Sequence, residues 1–239
     1  MKRILVLGDS ITFGHGCSDR TFYWDYENNC YIGNQDSFRN GPSEYCWGSL
    51  IARELGHSVI NLSKSGTSNP NIAWTCLNAV KAQKFDLIIA GFSYDDRMEV
   101  RHPDYSDTIS LSPLSPPNLH KFKYKNWDKA LELYQEELYH PDTGVYATHM
   151  AIATVVNCAE AQAAKCHWSA PEINTTANSN LINDSLRSRQ LPSMIQHFDL
   201  WHPNFGMRTA KDTPYCAADG HPSELAHYEY FETIIKPLI

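Results

Sequence analysis

Ile4-Leu5-Val6-Leu7-Gly8-Asp9-Ser10-Ile11-Thr12-Phe13-Gly14 decides the fold. Its apolar run, closed by a glycine, reads as a strand buried on both faces, because a strand with one wet face would alternate apolar and polar residues. Working outward, Trp47 to Leu55 places apolar residues at 47, 50, 51 and 55, a helical spacing, and Gly56 follows as a stop. Ser58–Leu62 reads as a second strand, followed by the small-residue loop Ser63-Lys64-Ser65-Gly66-Thr67-Ser68-Asn69. A helix over Ile72–Ala82 and a third strand over Phe85–Gly91, centred on Leu87-Ile88-Ile89-Ala90, complete the series. Strand, helix, strand, helix, strand at this spacing predicts a parallel sheet covered on both faces.

The rest of the chain is less regular. From Ser18 to Glu44 the pattern dissolves into Asn, Gly, Ser and aromatics, which predicts an irregular surface insertion over about residues 18–46. Pro113, Pro116 and Pro117 break up residues 100–126, and Lys129–Leu138 reads as helical. His149 to Trp168 reads as one long Ala-rich helix, Asn174–Asn183 as polar and irregular. Ser223 is placed to cap a last helix running from Glu224 to about Ile235. No internal repeat, low-complexity tract or composition shift divides the chain, so one domain over 1–239 is expected.

The 239 residues are 42% hydrophobic and 20% charged, enough to bury a core. A net charge of −7 and a pI near 5.8, with no Lys/Arg block, argue against a nucleic-acid partner held through phosphates. No apolar run is long enough to span a membrane. Met1-Lys2-Arg3 leads into too few apolar residues for a signal peptide, so a cytoplasmic protein is expected, in the host cell's cytoplasm if the source is viral. The seven cysteines (17, 30, 46, 76, 158, 166 and 216) have no zinc-knuckle spacing and read as reduced thiols packed as small hydrophobes.

Chemistry concentrates at two places. Gly8-Asp9-Ser10 follows the first strand, and in an open α/β sheet ligands bind at the carboxyl ends of strands. A serine entering the next helix there has an exposed hydroxyl and backbone N–H groups suited to a developing anion. The same tripeptide also suits a plain capped turn. Near the other end, Asp219-Gly220-His221-Pro222-Ser223 sets a histidine beside a carboxylate just before the last helix. That pairing fixes one imidazole tautomer and stabilises the imidazolium formed when a serine proton is taken; a surface turn is the alternative.

Together these pieces resemble the SGNH/GDSL-type hydrolases, from Leu5 to the last helix. That family carries Ser, Gly, Asn and His in four successive blocks, and the first block, with Thr12-Phe13-Gly14 trailing it, is the strongest match here. The resemblance implies a three-layer α/β/α, flavodoxin-like fold and a Ser-His(-Asp) ester hydrolase with Ser10 as nucleophile, His221 as base and Asp219 as its orienting carboxylate. Asn61-Leu62-Ser63-Lys64-Ser65-Gly66 is similar to the second block, which implies Gly66 as an oxyanion donor beside the N–H of Ser10. Gly14-His15-Gly16-Cys17 and Gly41-Pro42-Ser43-Glu44-Tyr45 resemble segments of hydrolase-like proteins encoded by tailed bacteriophages.

Two departures stand out. The third block, usually Gly-x-Asn-Asp, reads Gly91-Phe92-Ser93-Tyr94-Asp95-Asp96-Arg97, so Ser93 stands where an oxyanion-binding Asn is expected. Arg97 is either a solvated surface residue or a substitute source of positive charge. In the last block Asp219 lies two residues before His221 rather than three, and Ala218 holds the usual position.

The remaining signals are weaker. Tyr23, Trp24, Tyr26, Tyr31, Phe38, Tyr45 and Trp47 form either a small satellite core or a stacking platform for a flat substrate. His102, His120, His140, His149, His167, His197 and His202 lack metal-site spacing, only Asp199-Leu200-Trp201-His202 hinting at one, and no metal is expected. The glycines from 8 to 16 do not form a phosphate loop. No cofactor is needed, and the expected partner is a small-molecule or glycan acyl ester. A catalytically weak binding or structural module, of a kind that recognises a glycan, is the rival expectation; an acyltransferase is a third.

Overall fold

The structure, a computed structural model, describes residues 1–20, 22–25, 30–33, 40–95, 97–101, 108–111, 129, 132–138, 140–171, 188–202, 206–207 and 213–239. In chain order the elements are β1 (Arg3–Gly8), α1 (Ser10–Phe13), β2 (Phe22–Asp25), β3 (Cys30–Gly33), α2 (Trp47–Leu55), β4 (Ser58–Asn61), α3 (Asn69–Ala82) and β5 (Leu87–Gly91). They continue with β6 (Met98–Arg101), β7 (Thr108–Leu111), α4 (Pro141–Ala161), β8 (Lys165–Ser169), β9 (Ser188–Gln190), α5 (Met194–His197), β10 (Trp201–His202), β11 (Gly206–Met207) and α6 (Glu224–Tyr230).

Five of these strands form one parallel sheet in the order β4-β1-β5-β8-β9. Counted along the chain this is the 2-1-3-4-5 order of flavodoxin-like sheets, whose ligands sit at the strand carboxyl ends where the order reverses. The period-2 alternation of the two central strands sorts their side chains into two layers. Leu5, Leu7, Ile88 and Ala90 pack with Ile72 and Cys76 of α3 and Ile152 and Val155 of α4. Ile4, Val6, Leu87 and Ile89 pack with Trp47, Leu50 and Ile51 of α2 and with Tyr230 and Phe231 at the end of α6. The three-layer arrangement is the one expected, and it explains why the central strands read as unbroken apolar runs.

The expected long helix over His149–Trp168 is corrected. The helix starts earlier, with Pro141 in its first turn and the His140 ring nitrogen accepting the Asp142 N–H at 3.3 Å, and it ends at Ala161. Lys165–Ser169 is instead the fourth strand of the sheet. The break is at Ala163, which takes the left-handed conformation (φ 59°), while Ala164 N–H bonds Ala159 O at 2.9 Å. Glycine usually marks such an ending, and its absence hides this one. Gln162 then ties the helix end across the layer, accepting from Phe85 N–H (2.9 Å) and donating to Val80 O (2.8 Å) and Gln83 O (3.0 Å).

The 18–46 insertion is not wholly irregular, since β2 and β3 pair as an antiparallel hairpin, Phe22 opposite Gly33. A second hairpin joins β6 to β7. In the Lys129–Leu138 stretch, Tyr134–Leu138 form a π-helical turn. Asn174–Asn183 lies outside the described residues, as do the side chains of Tyr23, Trp24, Tyr26, Tyr31 and Phe38. Trp47 joins the main core, whereas Tyr45 is exposed. Ser223 caps α6 as expected, its Oγ accepting from Ala226 N–H at 3.4 Å, and the helix continues as a π-helical turn over Phe231–Ile235. Cys17, Cys46, Cys76, Cys158, Cys166 and Cys216 are buried thiols outside any disulfide. Burial pushes the thiols of Cys17, Cys46, Cys76, Cys158 and Cys166 toward the neutral form, that of Cys166 to about 12. No helix among the described residues is long and apolar enough to cross a membrane.

Gly8 and Gly91 face each other across the β1–β5 pairing, and the buried side chain of Thr12 lies over both. A Cβ on Gly91 would sit 2.3 Å from Thr12 Oγ1, and one on Gly8 2.2 Å from the same atom. Gly91→Ala is therefore expected to destabilise the protein by about 3 kcal/mol through overpacking. Urea unfolding checks this as a lowered midpoint at constant slope; an unmoved midpoint would show that Thr12 yields without cost.

Candidate active site

Three strand ends converge at the carboxyl edge of the sheet. After β1, Asp9 caps α1, its Oδ1 accepting the Ile11 N–H at 3.0 Å, and this sets Ser10 at the first helical position with little exposure. After β4, Lys64 N–H donates to Gly8 O at 2.9 Å, drawing the 63–69 loop onto the end of β1. Gly66 in that loop has φ 76°, a left-handed conformation that favours glycine, with open space where a Cβ would stand. After β5, Ser93 is buried, and its N–H donates to Asn69 Oδ1 at 2.7 Å. Asn69 Nδ2 donates to Ser93 O (3.0 Å) and to Thr148 Oγ1 (2.8 Å), so this amide is spent on holding the third strand end. The Ser93 hydroxyl is buried without a hydrogen-bond partner among the described residues.

The loop before α6 brings the histidine. His221 Nε2 lies 3.2 Å from Ser10 Oγ, across 211 residues of chain. Asp219 Oδ1 accepts the His221 backbone N–H at 3.0 Å and stands 3.5 Å from His221 Nδ1. Gly220, at φ 82°, supplies the turn that makes the short Asp–His spacing workable. Burial alone would raise the Asp219 carboxyl, but the bond and charge of His221, its backbone N–H and the charge of His15 outweigh it, holding the group below its ordinary range.

Two features were not legible beforehand. Arg97 is not a solvated surface residue: its guanidinium turns inward to 3.5 Å from Asp9 Oδ2 and lies over the Tyr94 ring. His15, set between Gly14 and Gly16, stacks face to face on His221 with ring centroids 4.0 Å apart and planes 12° from parallel. Its Nε2 is 3.3 Å from Asp219 Oδ2 and its Nδ1 3.3 Å from Ser65 Oγ. The only advance signal was a histidine flanked by glycines just past the serine.

His15, Asp219 and His221 offer three ligand atoms within 4.8 Å of one another. A metal bonds an imidazole through a lone pair in the ring plane, and two stacked, nearly parallel rings cannot both aim such lone pairs at one ion. Holding a metal here would require the stack to open.

No protein-family model matches the chain, and no curated protein sequence matches it. Similarity is found among solved structures. A carbohydrate esterase family 2 enzyme with a carbohydrate binding domain, from Corynascus thermopiles (Myceliophthora fergusii), superposes with TM-score 0.52 and 14% identity over 99% of this chain and 65% of that one. A family two carbohydrate esterase from Clostridium thermocellum, in complex with cellohexaose, gives 0.51 and 12% over 99% and 63%. TesA gives 0.52 and 14% over 100% of both chains. The chain thus spans under two-thirds of the length of these two carbohydrate esterases, and at such identities the likeness is one of fold.

Proposed function

We propose that this chain, which has the α/β/α fold of the SGNH/GDSL-type hydrolases, is a serine hydrolase of acyl esters. The observation that carries the reading is the 3.2 Å approach of His221 Nε2 to Ser10 Oγ, with Asp219 behind His221 Nδ1. Ser10 Oγ attacks the ester carbonyl while its proton passes to His221 Nε2, and Asp219 balances the imidazolium. The N–H groups of Ser10 and Gly66 and the Ser93 hydroxyl receive the tetrahedral oxyanion. Collapse expels the alcohol, which takes the proton from His221, and water then repeats the sequence on the acyl-enzyme. Similarity to carbohydrate esterases supports acylated sugars as the first substrate class to try. The reading takes residues 1–239 as one catalytic domain.

The test is hydrolysis of p-nitrophenyl acetate and butyrate, together with fluorophosphonate labelling located by peptide mass. Turnover with the label on Ser10 is expected; no turnover and no label would overturn the reading. That second outcome would favour a binding module, the alternative that the Ser93 replacement of asparagine supports.

Ser93 gives a separate prediction. Its N–H is committed to Asn69, so its hydroxyl is the group left to donate. Ser93→Ala is expected to lower kcat roughly 10- to 100-fold with KM little changed, a smaller loss than removal of a full amide donor. An unchanged kcat would remove Ser93 from the oxyanion site.

A further inference from the structure

We propose that His15 is a positioning residue that holds Asp219 by its second oxygen and thereby couples its own protonation to that of His221. This rests on the ester-hydrolase reading for its effect on rate, though not for its effect on titration.

Asp219 reaches back over only two residues; its Oδ1 accepts the His221 backbone N–H at 3.0 Å and stands 3.5 Å from His221 Nδ1. A carboxylate held from one side alone is free to rotate out of line with the ring it orients. His15 Nε2, 3.3 Å from Oδ2, stands on the second side as a charge contact to an oxygen that has no aligned hydrogen bond among the described residues. A carboxylate only accepts, so the side of His15 facing Asp219 favours the ring proton on Nε2, and Nδ1, 3.3 Å from Ser65 Oγ, can then accept from that hydroxyl. The backbone is shaped for this contact. Gly14 and Gly16 have φ of 84° and 100°, and a Cβ on Gly16 would meet His221 Cβ and Pro222 O at 2.9 Å each.

The charge balance follows. One buried carboxylate lies beside a nitrogen of each of two imidazoles stacked at 4.0 Å, so it compensates one imidazolium at a time. A proton on His15 opposes the positive charge that His221 must carry in the transition state. Of the other ionisable groups on the adjoining elements, Asp9 holds the Ile11 N–H and Arg97, Glu224 holds Ser18, and Lys64 is exposed. His227, buried against the Trp47 N–H, feels the charge of His221, but burial keeps it neutral, so it adds no charge of its own.

The experiment is a ring-nitrogen NMR titration of His15 and His221 in the wild type and in His15→Phe, which keeps a ring for stacking but has no donor. In the wild type the two rings are expected to titrate as a coupled pair, and in His15→Phe the His221 curve is expected to shift and become a single step. Independent single steps in the wild type, which needs no variant to fold, would overturn the proposal, as would an unshifted His221 curve in a folded His15→Phe. In parallel, the rate of fluorophosphonate labelling at Ser10 is expected to fall about tenfold in His15→Phe and to recover most of that loss in His15→Gln, which restores a donor. Equal slowing in both variants would assign His15 to packing and overturn the positioning role. A wild type that resists labelling while its rings titrate as a pair would sink the hydrolase reading and leave the His15–Asp219–His221 linkage standing.

Discussion

Replacing Ser10 with alanine is expected to lower kcat for p-nitrophenyl acetate by about 10⁴-fold or more. On the proposed mechanism the serine oxygen is the atom to which the acyl group transfers, and it stands 3.2 Å from His221 Nε2. With the oxygen gone, only the oxyanion donors and binding remain, and these alone give a small residue of catalysis. His221→Ala should cost a similar factor, and the double variant little more than either, because nucleophile and base act as a unit. Side-by-side kinetics on the purified variants decide it. A Ser10→Ala protein within tenfold of wild type would mean that another group carries the reaction.

The second large effect is on stability in acid. His227 is wholly buried, its Nδ1 accepting the Trp47 N–H at 3.3 Å, and desolvation lowers it from 6.5 to about 3. His167, in the middle of β8, is lowered to about 4, mainly by burial and further by Arg189 and Lys165. Both are neutral when folded but take up a proton from about pH 6.5 downward when unfolded. The unfolded state therefore binds more protons in that window, and unfolding free energy falls as pH falls. Between pH 7 and pH 5 each group contributes a loss of about 2 kcal/mol, about 4 kcal/mol together, which is a large part of a domain's stability. Urea unfolding at the two pH values measures it. His227→Asn, whose side-chain oxygen can still accept from Trp47, should recover about half of the loss; an equally steep decline in that variant would acquit His227. Asp219 adds to acid sensitivity at lower pH, because its depressed carboxyl contributes stability that disappears once it is protonated.

The central strands were legible in advance because their burial is total. β1 from Ile4 onward and β5 are covered on both faces, so every position there is apolar and the strands announce themselves. β8 reads Lys-Cys-His-Trp-Ser and includes a buried histidine, and the edge strand β9 reads Ser-Arg-Gln, so neither carries a hydrophobic signal. An alanine in the left-handed conformation removed the one marker that would have separated helix from strand. At the candidate site, Ser10 and His221 were legible because their neighbours in sequence specify a strand end and a loop before a helix. His15 and Arg97 were not, because what distinguishes them is whom they meet across the fold. Asp9 touches Arg97, and Asp219 touches His15, through contacts that no local spacing encodes.

The sequence separation of 211 between Ser10 and His221 has a consequence for following the folding of the molecule. Their contact requires distant parts of the chain to come together, as do those of Ser18 with Glu224 and Lys2 with Ile239. On the proposed mechanism, reactivity toward a fluorophosphonate doubles as a gauge of that closure, reporting in one atom whether those distant parts have met.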